Sequence, residues 1–110
     1  YTGTHDNDTS IGWFESLDSK LSSDEINDLK NILNSDSKGM NWSMIEYSFQ
    51  ARAKTVIVPV QDILGLGSDS RMNTPGTISE NNWSWRMDSS ELKDTMLRKM
   101  RDITEEANRA

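Results

Sequence analysis

The densest run of reactive side chains in the sequence is His5-Asp6-Asn7-Asp8, an imidazole beside two carboxylates and an amide. Taken alone, a His next to an Asp is more often a surface turn or a helix cap than a reactive pair. Asp6, Asn7 and Asp8 imitate the opening of a calcium-binding EF-hand, but the glycine due at the sixth position is Ile11 and the glutamate due at the twelfth is Leu17. A zinc site would want more ligands than the single His5, and the chain has no cysteine. Gly65-Leu66-Gly67 follows an apolar run as a dinucleotide loop would; however, Ser70 stands where the third glycine belongs and Gln61-Asp62 separates run from loop. Three Asn-X-Ser/Thr triplets, at Asn7, Asn41 and Asn82, match the glycosylation acceptor pattern, which has no meaning without secretion.

The elements that must hold these residues are mostly helical. The exception is Thr55-Val56-Ile57-Val58, β-branched throughout, which reads as a central strand of a parallel sheet buried on both faces. Such a strand needs neighbours, and no second run of this kind and no hairpin dipeptide is present, so the chain reads as one piece of something larger. Residues 1–9 read as the end of a strand followed by a polar turn, with Thr9 or Ser10 capping a short helix that carries Ile11, Trp13, Phe14 and Leu17. Ser22 and Glu25 have capping-box spacing for a second helix with Ile26, Leu29, Ile32 and Leu33 on one face, ended by the polar cluster 34–39. Asn41 is expected to cap a third helix with a stripe of Trp42, Ile45, Phe49 and Ala53, which feeds the Thr55 strand. Pro59 suits a helix start, giving one short turn over residues 60–64 before the glycines. Residues 68–87 lack periodicity, and a loop of that length is more often functional than idle. Its Trp83 and Trp85 either stack on sugar rings or plug the loop against the fold, and the plug is expected for at least one. Asp88 and Glu91 form a capping pair for a final amphipathic helix of some five turns, carrying Leu92, Met96, Met100, Ile103 and Ala107, with Arg98, Lys99 and Arg101 suiting its C-terminal half.

Composition sets the bounds. The 110 residues suffice for one domain, and residues 1–110 read as a single segment with no linker or repeat. Apolar residues make up only 34% against 27% charged, so a full core is hard to build. A net charge of −6, without clustered Lys and Arg, disfavours nucleic acid and anionic membrane surfaces. No apolar run approaches the ~18 residues of a membrane span. The start at Tyr1-Thr2-Gly3 is compatible with a lost N-terminus, so the missing signal peptide decides nothing about location.

In combination these motifs carry more than they do singly. Thr2 to Thr9 (Thr-Gly-Thr-His-Asp-Asn-Asp-Thr), then Gly12-Trp13-Phe14, then Pro59-Val60-Gln61-Asp62-Ile63-Leu64-Gly65-Leu66-Gly67, then Arg71-Met72-Asn73-Thr74-Pro75-Gly76-Thr77 and Asn82-Trp83-Ser84-Trp85-Arg86, resemble the C-terminal part of the 4-α-glucanotransferases. These are also called amylomaltases or disproportionating enzymes, glycoside hydrolase family 77. The resemblance covers nearly the whole chain in matching order, with residues 16–38 its uninformative part.

The resemblance implies an α/β fold class: a C-terminal piece of a (β/α)8 barrel, with strand 7 ending at His5, a helical crossover around residues 10–33, and strand 8 at residues 55–58. Taken alone, the piece should be mostly helical. It implies a cytoplasmic enzyme of starch, glycogen or maltodextrin metabolism that acts on maltooligosaccharides or α-1,4-glucans, holds the donor covalently and passes it to another sugar, with no cofactor and no metal. Barrel active sites are built just beyond the C-terminal strand ends, where His5-Asp6 and Gln61-Asp62 fall in this reading. By the same likeness Asp6 is the catalytic carboxylate that stabilises the transition state, and His5 and Asn73 are substrate-binding residues. Retaining chemistry needs a nucleophile and an acid/base as well, and both lie on earlier strands, outside this chain. The chain alone is therefore expected to be inactive and to self-associate. Two other readings stand beside this one: a non-catalytic carbohydrate-binding module using Trp83 and Trp85, and a small helical interaction protein.

Overall fold

The computed structural model of the chain describes residues 1–35 and 39–110. Five helices follow in order: α1 (Ser10–Ser16), α2 (Ser23–Leu33), α3 (Met40–Phe49), α4 (Val60–Leu64) and α5 (Asp94–Glu106), with single 3-10 turns at Leu17–Ser19, Ser68–Ser70 and Ser89–Glu91. Among the described residues there is no strand.

The helix starts follow local chemistry. Thr9 caps α1 by accepting the Gly12 N–H at 3.1 Å, and Ser22 caps α2 by accepting the Glu25 N–H at 3.2 Å, each satisfying a donor that the first turn leaves without a partner. Asn34 closes α2 in the left-handed conformation, where a short amide side chain is tolerated. Residues 36–38 of the expected terminating cluster 34–39 lie outside the described residues. On α2, Ile26, Leu29 and Leu33 are half-buried, whereas Ile32 points away at 65% exposure. Pro59 stands at the N-cap of α4 and Gly65 ends it at φ +68°.

Four expectations are corrected. Residues 55–58 are extended, but they make no sheet: the backbone bond they share with the N-terminal segment runs from the Thr2 N–H to the Ile57 carbonyl at 3.3 Å. A strand is defined by its ladder, and this chain supplies no neighbouring run to complete one. One face is nevertheless used as expected of a buried segment, since Val56 and Val58 pack on the core, while Ile57 on the other face is 63% exposed. Asn41 is not the cap of α3. The helix starts two residues earlier, at Met40 behind Gly39 at φ +80°, and the Asn41 side chain is buried, its Nδ2 donating to the Asp62 carbonyl at 2.8 Å. Ala53 lies outside α3, which stops at Phe49. The Arg109 guanidinium takes up the carbonyls of Phe49, Ala51 and Lys54 there, so the chain leaves the helix with its polar ends satisfied. The Asp88–Glu91 capping box forms, but it closes a single 3-10 turn; Leu92 is extended (φ −84°, ψ 98°), and α5 begins at Asp94, so its 13 residues make fewer turns than the spacing suggested and Leu92 is not part of it.

The core is small. Ile45 and Phe49 of α3 and Ile103 of α5 are buried together, with Trp42, Val56, Val58, Ile63, Met100 and Ala107 packed around them. Lys99 lies over the Trp42 ring, its Nζ 4.5 Å from the centroid, a cation–π contact that covers the outer edge of this cluster. The body thus formed by α3, α4 and α5 is the platform against which residues 1–9 are fastened.

Candidate functional site

The loop 3–9 is braced internally before it touches anything else. The Thr4 N–H donates to Asn7 Oδ1 at 2.8 Å, the Asn7 N–H to the Thr4 carbonyl at 3.1 Å and the Thr9 N–H to Asp8 Oδ1 at 2.8 Å. Short Asx-type bonds of this sort are what Asn and Asp do in turns, and they leave the His5 and Asp6 side chains at the tip. His5 Nε2 lies 3.4 Å from Asp6 Oδ2, with both side chains more than half exposed.

The aperiodic segment that follows α4 folds back over this tip. Asn73 Nδ2 donates to Asp6 Oδ1 at 2.9 Å across 67 residues of sequence, and Arg71 Nη2 donates to the Asp6 carbonyl at 2.8 Å. Arg71 Nε also holds the Asn73 carbonyl at 2.8 Å, so one guanidinium curls its own loop and latches it to the other. The Trp83 ring sits 5.1 Å from the His5 ring, tilted by 38°. Trp83 is held at φ +61°, a conformation costly for a bulky side chain, by a 2.6 Å bond from its N–H to the Met72 carbonyl. The three residues assigned to the site from sequence, His5, Asp6 and Asn73, are therefore neighbours in space.

A cavity of about 270 Å³ opens beside them, with His5, Asp8, Gln61, Asp62, Arg71 and Met72 in its wall. Of the two tryptophans, Trp83 is 61% exposed above His5, while Trp85 is half-buried and lines a separate polar groove with Ser68, Thr77 and Asn82. No group of His, Cys, Asp or Glu able to hold a metal occurs among the described residues.

Below the loop, Asp62 is 1% exposed, Ser68 Oγ donates to Asp8 Oδ2 at 2.8 Å, and Gly12 leaves room for that pair: a Cβ there would stand 2.6 Å from Asp8 Oδ1. An exposed imidazole and carboxylate, an amide and an indole face meet at one spot beside this cavity and make a surface that can bind sugar hydroxyls, stack on a pyranose and place negative charge beside it.

A family model described as 4-alpha-glucanotransferase matches residues 1–93. The chain belongs to this family. The 4-alpha-glucanotransferase of Synechocystis sp. is 45% identical over 105 residues, which is 96% of this chain and 20% of that protein. The chloroplastic/amyloplastic 4-alpha-glucanotransferase of Arabidopsis thaliana is 47% identical over 96 residues, 87% of this chain and 16% of that protein. Among solved structures, an amylomaltase from Streptococcus agalactiae in complex with acarbose superposes with a TM-score of 0.88 at 30% identity, over 98% of this chain and 21% of that one. The chain thus spans about a fifth of the length of the glucanotransferases it matches.

Within this glucanotransferase segment, sequence reasoning missed two things. Arg71 was visible only as part of a motif, because nothing in its neighbours says that its guanidinium reaches back to residue 6. Asp62 was placed beyond a strand end, but its burial beneath the loop follows from tertiary packing alone.

Proposed function

We propose that the chain is the C-terminal part of the catalytic (β/α)8 barrel of a 4-α-glucanotransferase, with residues 1–5 and 55–58 in the places of strands 7 and 8. The whole enzyme transfers α-1,4-glucan segments between maltooligosaccharides by a retaining mechanism. The observation that carries this reading is the bond from Asn73 Nδ2 to Asp6 Oδ1, which brings three family-motif residues to one point together with the Trp83–His5 ring pair.

In this reading Asp6 stands beside the reacting ring as an anion and gains interaction as oxocarbenium character develops there. Asn73 aims the carboxylate with one amide N–H, and its amide has a second N–H and a carbonyl to offer a sugar hydroxyl. His5 Nε2 lies 3.4 Å from the other carboxylate oxygen of Asp6, and Trp83 backs the His5 ring. The exposed outer face of Ile57 is explained in the same way, as a surface that neighbouring barrel strands would cover. The acarbose-bound relative supports an α-glucan substrate. No helix among the described residues is long and apolar enough to cross a membrane. A cytoplasmic location is part of the proposal; plant relatives carry chloroplastic/amyloplastic names, so fractionation in the source organism decides it.

The test is product analysis with the full-length protein and maltotriose. Redistribution into shorter and longer maltooligosaccharides is expected, whereas binding with no change in chain length would leave only a carbohydrate-binding protein.

A further inference from the structure

Among the described residues, Asp62 is the one buried titratable group that the proposed chemistry does not use, and its side chain makes no ion pair with them. Oδ2 accepts the Thr2 hydroxyl at 2.6 Å and Oδ1 accepts the Ser10 N–H at 2.8 Å, 60 and 52 residues away in sequence. Its own carbonyl is engaged too, by Asn41 Nδ2 at 2.8 Å and by the Gly65 N–H at 3.2 Å. Burying a carboxylate is expensive, and neutral donors offset that cost only when both oxygens are satisfied.

The placement of the two donors gives the arrangement its meaning. Thr2 precedes the His5–Asp6 loop and Ser10 follows it. The loop is rigid within itself through the bonds around Thr4, Asn7 and Asp8 and is held at its tip by Arg71 and Asn73 and on Asp8 by Ser68, while its two stems fix how it leaves the body of the fold. Both stems end on one carboxylate, carried by a helix that α3 holds through Asn41. A hydroxyl in place of the carboxylate would offer one oxygen for two donors; two acceptors side by side are what the geometry needs.

We propose that Asp62 is a positioning residue of the transferase reaction, fastening both stems of the loop so that Asp6 meets the sugar ring in register. The proposal rests on the reading of Asp6 as the transition-state carboxylate. Displacement of a reacting group by an ångström costs on the order of 10²-fold in rate, and this sets the size of the effect.

The experiment is a double-mutant cycle in the full-length enzyme, measured as maltotriose disproportionation. Asp62→Ala lowers kcat about 100-fold with KM changed less than about threefold, because binding surfaces elsewhere in the enzyme are untouched. In an Asp6→Asn background the same substitution lowers kcat by no more than about threefold, since the charge that it positions is already gone. Asp62→Asn accepts from Ser10 and donates to Thr2 Oγ1, and so stays within about tenfold of wild type. Were Asp62→Ala not to fold, the isosteric Thr2→Val, which cuts one stem and costs about tenfold, carries the same cycle. An equal loss from Asp62→Ala in both backgrounds would reduce Asp62 to a fold stabiliser and overturn the proposal. Wild-type kcat in the single Asp6→Asn variant would instead overturn the Asp6 reading, and the two failures are distinct.

Discussion

Arg71 is where the loop over the site can be unlatched without disturbing the core. Its Nη2 holds the Asp6 carbonyl and its Nε the Asn73 carbonyl, each at 2.8 Å. Lysine keeps the charge but has one compact ammonium, which reaches one of the two acceptors. A hydrogen bond from a charged donor is worth roughly 1.5–3 kcal/mol, and at this half-buried position the lower end applies. Losing one bond therefore shifts the latched loop by about 1.4 kcal/mol, or about tenfold in population. Arg71→Lys should lower kcat/KM for maltotriose about tenfold in the full-length enzyme, and Arg71→Ala, losing both bonds, about 100-fold. Neither should move the melting temperature much, because none of the buried apolar residues Leu17, Met40, Ile45, Phe49 and Ile103 lies in the loop. The assay is initial-rate disproportionation beside thermal unfolding of the same samples. Wild-type kcat/KM in both variants would refute the latch. A fall in melting temperature matching the fall in activity would make Arg71 a fold residue instead.

Three further outcomes are expected on the same structural grounds. Gly12→Ala forces the Ser68–Asp8 pair apart, since a Cβ would stand 2.6 Å from Asp8 Oδ1; a loss of about 1–3 kcal/mol in urea unfolding of the full-length enzyme is expected. The Asp88 carboxyl is held below the ordinary aspartate range by the Ser90 backbone N–H and then by the Ser90 hydroxyl. With the folded value depressed, the cap's contribution is present above the ordinary range and lost as pH falls through the folded value. The Ser90 amide should therefore lose exchange protection only in that acid window. The 110-residue chain by itself should leave maltotriose unchanged and self-associate, because Ile57, Tyr47 and Leu97 are 63, 56 and 49% exposed. A monodisperse monomer with a sharp thermal transition, by light scattering and calorimetry, would contradict this.

What could be read from the sequence was local. Thr9 and Ser22 as caps, Pro59 and Gly65 as the bounds of α4, and the Asp88–Glu91 box all depend on a few adjacent residues. What misled was tertiary. Asn41 has cap chemistry, but its amide is claimed by the Asp62 carbonyl, and Arg109 ends α3 from 60 residues away. Residues 55–58 have the composition of a central strand and the extended backbone of one; a ladder requires partners that composition cannot supply. The candidate site was legible as motifs, since His5, Asp6 and Asn73 do converge. Their latch through Arg71 and their foundation on Asp62 depend on contacts that no spacing rule encodes.

The central claim is that Asp6 acts through its charge, and Asp6→Asn in the full-length enzyme tests it most directly. Asparagine keeps the Oδ1 acceptor for Asn73, and the Arg71 bond goes to the backbone carbonyl, so the loop keeps its place. The negative charge is removed, and an amide nitrogen takes the place of the oxygen beside His5 Nε2. Turnover of maltotriose should fall on the order of 10²-fold or more, about 3 kcal/mol of transition-state stabilisation, with substrate binding and melting temperature largely unchanged. An Asn variant with wild-type turnover would contradict the account.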